Sequence, residues 1–143
     1  MVQMRMKLLF FDTPRVLRAM DAATRRALSK AGAFIRQRAK TSIRKRKKVS
    51  QPGQPPSSHA GHLRRLIFFA YEPAGQTVVI GPVPFRKGEA PSLLEFGGIA
   101  SRTSRRSGRT RRKVFRKRPF MGPAMEAEAP NLPGFFRNSV RGG

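Results

Sequence analysis

Apolar residues recur along this chain with two different periods, and the change of period falls where proline or glycine interrupts it. In MVQMRMKLLFF, Val2, Met4, Met6, Leu8 and Phe10 alternate with Gln3, Arg5 and Lys7. A period of two predicts a half-buried strand, and it lacks the continuous apolar block of a secretory signal. Asp12-Thr13-Pro14 follows, with Thr13 expected as N-cap and Pro14 suited to the first helical turn. Beyond it the period lengthens. Val16, Met20, Ala23, Ala27, Ala31 and Phe34 fall on one stripe, widened by Leu17, Leu28 and Ile35, while Arg18, Arg25, Arg26, Arg36 and Lys40 point elsewhere. That pattern predicts an amphipathic helix from Pro14 to about Ile43, roughly 45 Å long at 1.5 Å per residue. Gly32 weakens it by about 1 kcal/mol relative to Ala, and the small residues around it suit the close approach of another segment.

The segment RKRKKVSQPGQPPSSHAG, residues 44 to 61, passes from five cations into Pro, Gly and Ser, and is expected to be an exposed loop. HLRRLIFFAY and TVVIGPV are rich in aromatic and β-branched residues and are separated by EPAGQ, which predicts a hairpin. Ser92 to Phe96 is expected to form one helical turn closed by Gly97 and Gly98. Ser101 to Gly108 has no apolar anchor and is expected to be mobile, with a short strand from Arg112 toward Pro119. Pro123 to Glu128 reads as a short helix with Met121, Ala124 and Met125 facing inward, interrupted by Pro130 and Pro133 before a last segment containing Phe135 and Phe136. The expected fold class is α+β: a long N-terminal amphipathic helix on a small antiparallel sheet, a short C-terminal helix, and basic extended loops at about 44–61 and 99–113. Its 143 residues suit a single domain.

Charge changes the picture more than composition does. Thirty-one Lys and Arg face seven Asp and Glu, a net charge of +24, and such an excess weakens the compact state unless anions neutralise it. Without cysteine there is no disulfide, thiolate metal site or Cys nucleophile. The longest apolar runs, such as LIFFAY, fall far short of the roughly 20 residues of a membrane span, so a soluble protein is expected. His59 and His62 have no Cys or carboxylate near them in sequence to complete a metal shell. The seven carboxylates are scattered, and GEAPSLLEFGG has neither phosphate-loop spacing. No enzyme and no cofactor is expected; Glu126 and Glu128 are expected to balance cations or a helix end.

Two basic clusters remain: Arg44, Lys45, Arg46, Lys47 and Lys48, and Arg102, Arg105, Arg106, Arg109, Arg111, Arg112 and Lys113 within a stretch from 101 to 119 that holds ten cations and no acid. Neither has the heptads of a zipper nor the aromatic pattern of an RNA-binding sheet. Contact with nucleic acid is therefore expected through phosphates, without sequence preference.

PPSSHAGHLRRLI (55 to 67), APSLLEFGG (90 to 98) and RPFMGPAMEAEAPNLPGFF (118 to 136) occur in that order, and together they resemble the small basic tail-completion or neck proteins of long-tailed bacteriophages. The resemblance spans roughly residues 14 to 140. It implies an α+β fold assembled as a ring, expected to be sixfold, without enzymatic activity, at the head–tail junction of the virion and in the host cytoplasm during assembly. The implied partners are further copies of the chain and other neck, head-closure and tail proteins; the charge adds phage DNA, through its phosphates, or acidic faces of adjoining rings. Leu63, Leu94, Glu95, Phe96, Gly97, Pro119, Phe120 and Met121 are expected to pack the terminal helix onto the sheet, with a secondary part at the subunit interface. The density of cations between Gly98 and Pro119 departs from the family pattern. The rival expectation, favoured by composition alone, is a free, sequence-nonspecific nucleic-acid-binding protein of ribosomal or nucleoid type.

Overall fold

The computed structural model describes residues 12–83 and 90–140, so the strand expected around Val2 to Phe10 lies outside the described residues. The long helix α1 spans Thr13–Ser42. Its cap is Asp12 rather than Thr13: the Asp12 carboxylate accepts from Arg15 N–H at 3.1 Å, satisfying one donor that a helix start leaves open.

The buried stripe of α1 is Ala23, Ala27, Ala31, Gly32, Ile35 and Ala39. Leu17, Met20 and Phe34, expected inside, are about half exposed. The inward face follows the small residues because these permit the closest approach. A Cβ added to Gly32 would stand 2.8 Å from the Phe69 ring and 2.9 Å from the Val78 side chain. Those two side chains belong to the predicted hairpin, β1 (Ile67–Glu72) and β2 (Thr77–Pro82), which pairs antiparallel with Phe69 opposite Ile80 and Tyr71 opposite Val78. Arg36 fixes its start, donating from Nε to the Ile67 carbonyl at 2.8 Å. The first part of the expected strand, His62–Arg65, is instead a one-turn helix, α2, with Gly61 at φ +78° before it.

The helix α3 covers Ala90–Phe96, and Gly97 at φ +76° turns the chain sharply into a second antiparallel pair, β3 (Gly98–Thr103) and β4 (Thr110–Phe115). The fold is of the expected α+β class; among the described residues its antiparallel strands form two two-stranded sheets, and the segment expected as a loop at 99–113 is a hairpin. Backbone pairing needs no apolar side chain, and Gly108 at φ +61° closes the turn between the strands. The chain ends in α4 (Met121–Glu128), a 3₁₀ turn (Ala129–Asn131) and α5 (Leu132–Phe136). Ala124 of α4 is buried, whereas Met125 is half exposed. α5 also packs on α1, where Phe135 stacks on Phe34 with ring centres 5.3 Å apart.

The core is one cluster at the C-terminal half of α1: Ile35, Ala39, Ile43, Leu63, Ile67, Phe120 and Ala124, with Ile80, Leu94, Met121 and Leu132 packed around it. Phe120 is 1% exposed and is its largest member, whereas Phe96 is 79% exposed. Phe120→Ala is expected to cost about 3 to 5 kcal/mol in a denaturant melt, and Phe96→Ala within about 0.5 kcal/mol, because only the first leaves a cavity.

Candidate polyanion interface

The β3–β4 hairpin projects away from the core: every residue from 101 to 114 is exposed. Seven of these fourteen are Lys or Arg, and none is acidic. Arg102 stands directly opposite Arg111, an arrangement that like charge makes unfavourable in an isolated pair of strands. Opposing this are the backbone ladder, a hydrogen bond between the Thr103 and Thr110 hydroxyls (2.8 Å), and a tight tip. At the tip Ser104 N–H donates to the Arg109 carbonyl and Gly108 N–H to the Ser104 carbonyl, both at 2.9 Å. Around that tip Arg102, Arg105, Arg106, Arg109 and Arg111 line one concave surface. Among the described residues none of these cations has a carboxylate partner; the ion pair found there is Arg38 with Glu128.

The base of the hairpin is held more firmly. Phe120 stands at the cap position just before α4, its side chain cannot cap the helix, and the cap comes from 25 residues upstream. The Glu95 carboxylate accepts from Phe120 N–H (2.8 Å), Met121 N–H (3.1 Å) and Gly122 N–H (2.8 Å). A negative charge on three free N–H groups at a helix start is favourable both as hydrogen bonding and with the helix dipole. Next to it the Leu94 carbonyl accepts from Arg118 N–H (2.6 Å), and Gly97 lies so close to β4 that a Cβ there would be 3.0 Å from the Phe115 carbonyl oxygen. Arg118 also donates from Nε to the Ser50 carbonyl (2.9 Å), and Gly53 N–H donates to the Lys117 carbonyl (2.9 Å). Two cations of the basic stretch therefore have structural contacts. Leu63, Leu94, Glu95, Gly97, Pro119, Phe120 and Met121 meet in this joint; Phe96 points away from it.

The second cluster, Arg44 to Lys48, is exposed and lies in the loop after α1. The loop folds back on itself, with Ser58 N–H donating to the Arg44 carbonyl at 3.0 Å. Arg44 and Arg46 line a notch with Ser50, Gln54 and Ser57, while Lys45 faces a different one of about 410 Å³, with Lys40, Arg64 and Arg65. Lys40, Arg64 and Arg65 are not part of either basic cluster of the sequence, because Lys40 lies on α1 and the other two lie on α2, more than twenty residues away; folding alone brings them to one notch. Burial holds the Lys40 ammonium below its usual range, and the positive charges of Arg36 and Arg64 lower it further. His59 and His62 are exposed, and among the described residues no three His, Cys, Asp or Glu side chains are grouped to hold a metal.

No family model, curated protein or solved structure matches the chain. Among the described residues no helix is long and apolar enough to cross a membrane.

Glu95→Ala is expected to destabilise the fold by about 1 to 3 kcal/mol, because three helix-start donors lose a charged acceptor, and to loosen the base of the hairpin as read by amide exchange at Gly97 and Phe120. Glu128 supplies a pH dependence. The Asn131 amide (3.0 Å) and the Arg38 guanidinium bond its carboxylate and hold it below the ordinary carboxylate range, outweighing its burial. Its folded pKa lies below the unfolded one, so its contribution is present above the ordinary range and is lost as pH falls through the lowered value. Melting temperatures followed from neutral pH into acid should fall less in Glu128→Gln than in the wild type.

Proposed function

We propose that this chain is a structural virion protein of a tailed bacteriophage, a ring-forming neck or tail-completion component that joins head and tail. In this reading its basic segments contact phage DNA or acidic faces of adjoining rings. The observation that carries the polyanion part is the hairpin itself: fourteen consecutive exposed residues with seven cations and no acid, mounted on a fixed base. The phage part is supported by the three segments that resemble the neck family. They are far apart in sequence, yet their residues Leu63, Leu94 and Phe120 belong to one packed joint.

Arithmetic limits what DNA alone can do. Six copies at +24 each would carry +144, whereas a duplex as long as α1, about 45 Å, carries only about 26 negative charges. Two kinds of anionic partner fit this excess better than one. The like-charged tip gains from such a partner the neutralisation it lacks internally, and its closed turn spares the roughly 1 to 2 kcal/mol per residue that fixing a flexible segment costs.

Replacing Arg105, Arg106, Arg109, Arg111 and Arg112 with Ser is expected to leave the melting temperature of the core unchanged and to lower the yield of joined heads and tails. If each of the five meets a phosphate, the magnitude of the slope of log K against log salt for duplex binding should fall by about 4.5. Normal joining by this variant removes the hairpin from the mechanism. The second reading, a free nucleic-acid-binding protein, is favoured by the unpaired cations alone. It predicts that the nuclease-treated protein stays a monomer or dimer and ignores heads and tails, whereas the neck reading predicts a defined oligomer, alone or with those components.

A further inference from the structure

The hairpin is chemically divided along its length. From Arg102 to Arg111 it has five arginines and no apolar side chain. Nearer the core, Ile99 and Val114 stand opposite each other on one face and are 66% and 70% exposed. Phe96, at the end of α3, is more exposed still. Val49, also exposed, lines a groove of about 420 Å³ at the hairpin base with Leu94, Val114 and Phe115. Cations rim this apolar area: Arg112 shares the face of Val114, and Lys113 and Arg116 line the groove.

A phosphate backbone offers these apolar side chains nothing to pack against. A second copy of the chain is a poor occupant of this cation-rimmed patch as well: five of its seven carboxylates, those of Asp12, Asp21, Glu72, Glu95 and Glu128, already accept hydrogen bonds within their own chain. The complement of an apolar patch with a cationic rim is a protein segment carrying both carboxylates and apolar anchors.

We infer that the base of the hairpin, around Phe96, Ile99 and Val114, docks an acidic segment of a different protein through apolar anchors, while the arginine tip takes phosphates. This rests on the reading above that the hairpin serves anionic partners, and assigns each of the two partners its own half.

The test uses the full chain and three probes: a peptide alternating Asp with Leu, one of equal length alternating Asp with Ser, and a DNA duplex of random sequence. The Asp-Leu peptide is expected to bind at least about tenfold more tightly than the Asp-Ser peptide, because apolar burial adds to an equal charge, and to keep more of its affinity in high salt. Ile99→Ser with Val114→Ser should abolish that advantage and leave duplex binding unchanged; both positions are exposed, so the fold should tolerate the changes. Arg105→Ser, Arg106→Ser and Arg109→Ser together should do the reverse. Equal affinity for the two peptides, with tight duplex binding, overturns this inference alone. Failure to bind either peptide or duplex overturns the polyanion reading together with it. If the wild type is an oligomer that Ile99→Ser with Val114→Ser dissociates, the patch is a subunit contact and the inference is wrong.

Discussion

The Glu95 carboxylate at the start of α4 is the interaction on which the arrangement of this chain depends. α4 has no side-chain cap of its own, and its free N–H groups are satisfied by a residue that ends another helix. That one contact fixes α3 against α4, and with them the turn at Gly97 and the point where β3 and β4 leave the core. Phe120 follows from the same geometry: its N–H is held by Glu95 while its ring fills the space among Ile35, Ile43, Leu63 and Ile67. A polar bond orients the segment, and apolar burial supplies most of the stabilisation.

Around this joint the chain separates its two chemistries. The core is small and built largely from alanine and a few branched or aromatic side chains on α1, β1 and α4, with the Glu128 carboxylate buried against Asn131 and Arg38. The positive charge is kept outside, on the hairpin, on the loop after α1 and along the outer face of α1. Some cations serve the fold through their stems or faces, as Arg36 does over the Phe68 ring and Lys30 over Phe135. The hairpin tip has no such compensation. A segment that is electrostatically unfavourable alone, yet closed by a defined turn and set on a rigid base, is suited to meeting an anionic partner without first having to find its backbone conformation.

Apolar side chains at the hairpin base add selectivity to that attraction. Charge draws any polyanion at long range and weakens with salt, while Phe96, Ile99 and Val114 reward only a surface that can exclude water from them. The two effects act over different distances, so one projecting element can serve both encounter and discrimination.

The local elements were legible in the sequence. The helical spacing from Val16 to Ile35, the β-branched runs on either side of EPAGQ, and the Gly97-Gly98 exit all depend on neighbours within a few residues, and each appears in the fold within a residue or two of its expected place apart from HLRR. Legible too was the charge, with the two clusters that carry it. Tertiary structure decided the rest. It kept Ala23, Ala27, Ala31 and Ile35 of the expected stripe inside, added Gly32 and left Leu17, Met20 and Phe34 half exposed, because the packing of Phe69 and Val78 on Gly32 rewards absence of bulk, which hydrophobic periodicity does not weigh. It paired Gly98–Thr103 with Thr110–Phe115, whose sequence lacks strand alternation, through backbone bonds that any side chain permits. It brought Glu95 to α4 and Lys40 to Arg64 across gaps of more than twenty residues. Such contacts depend on how the chain closes on itself, and no short window of sequence contains that information.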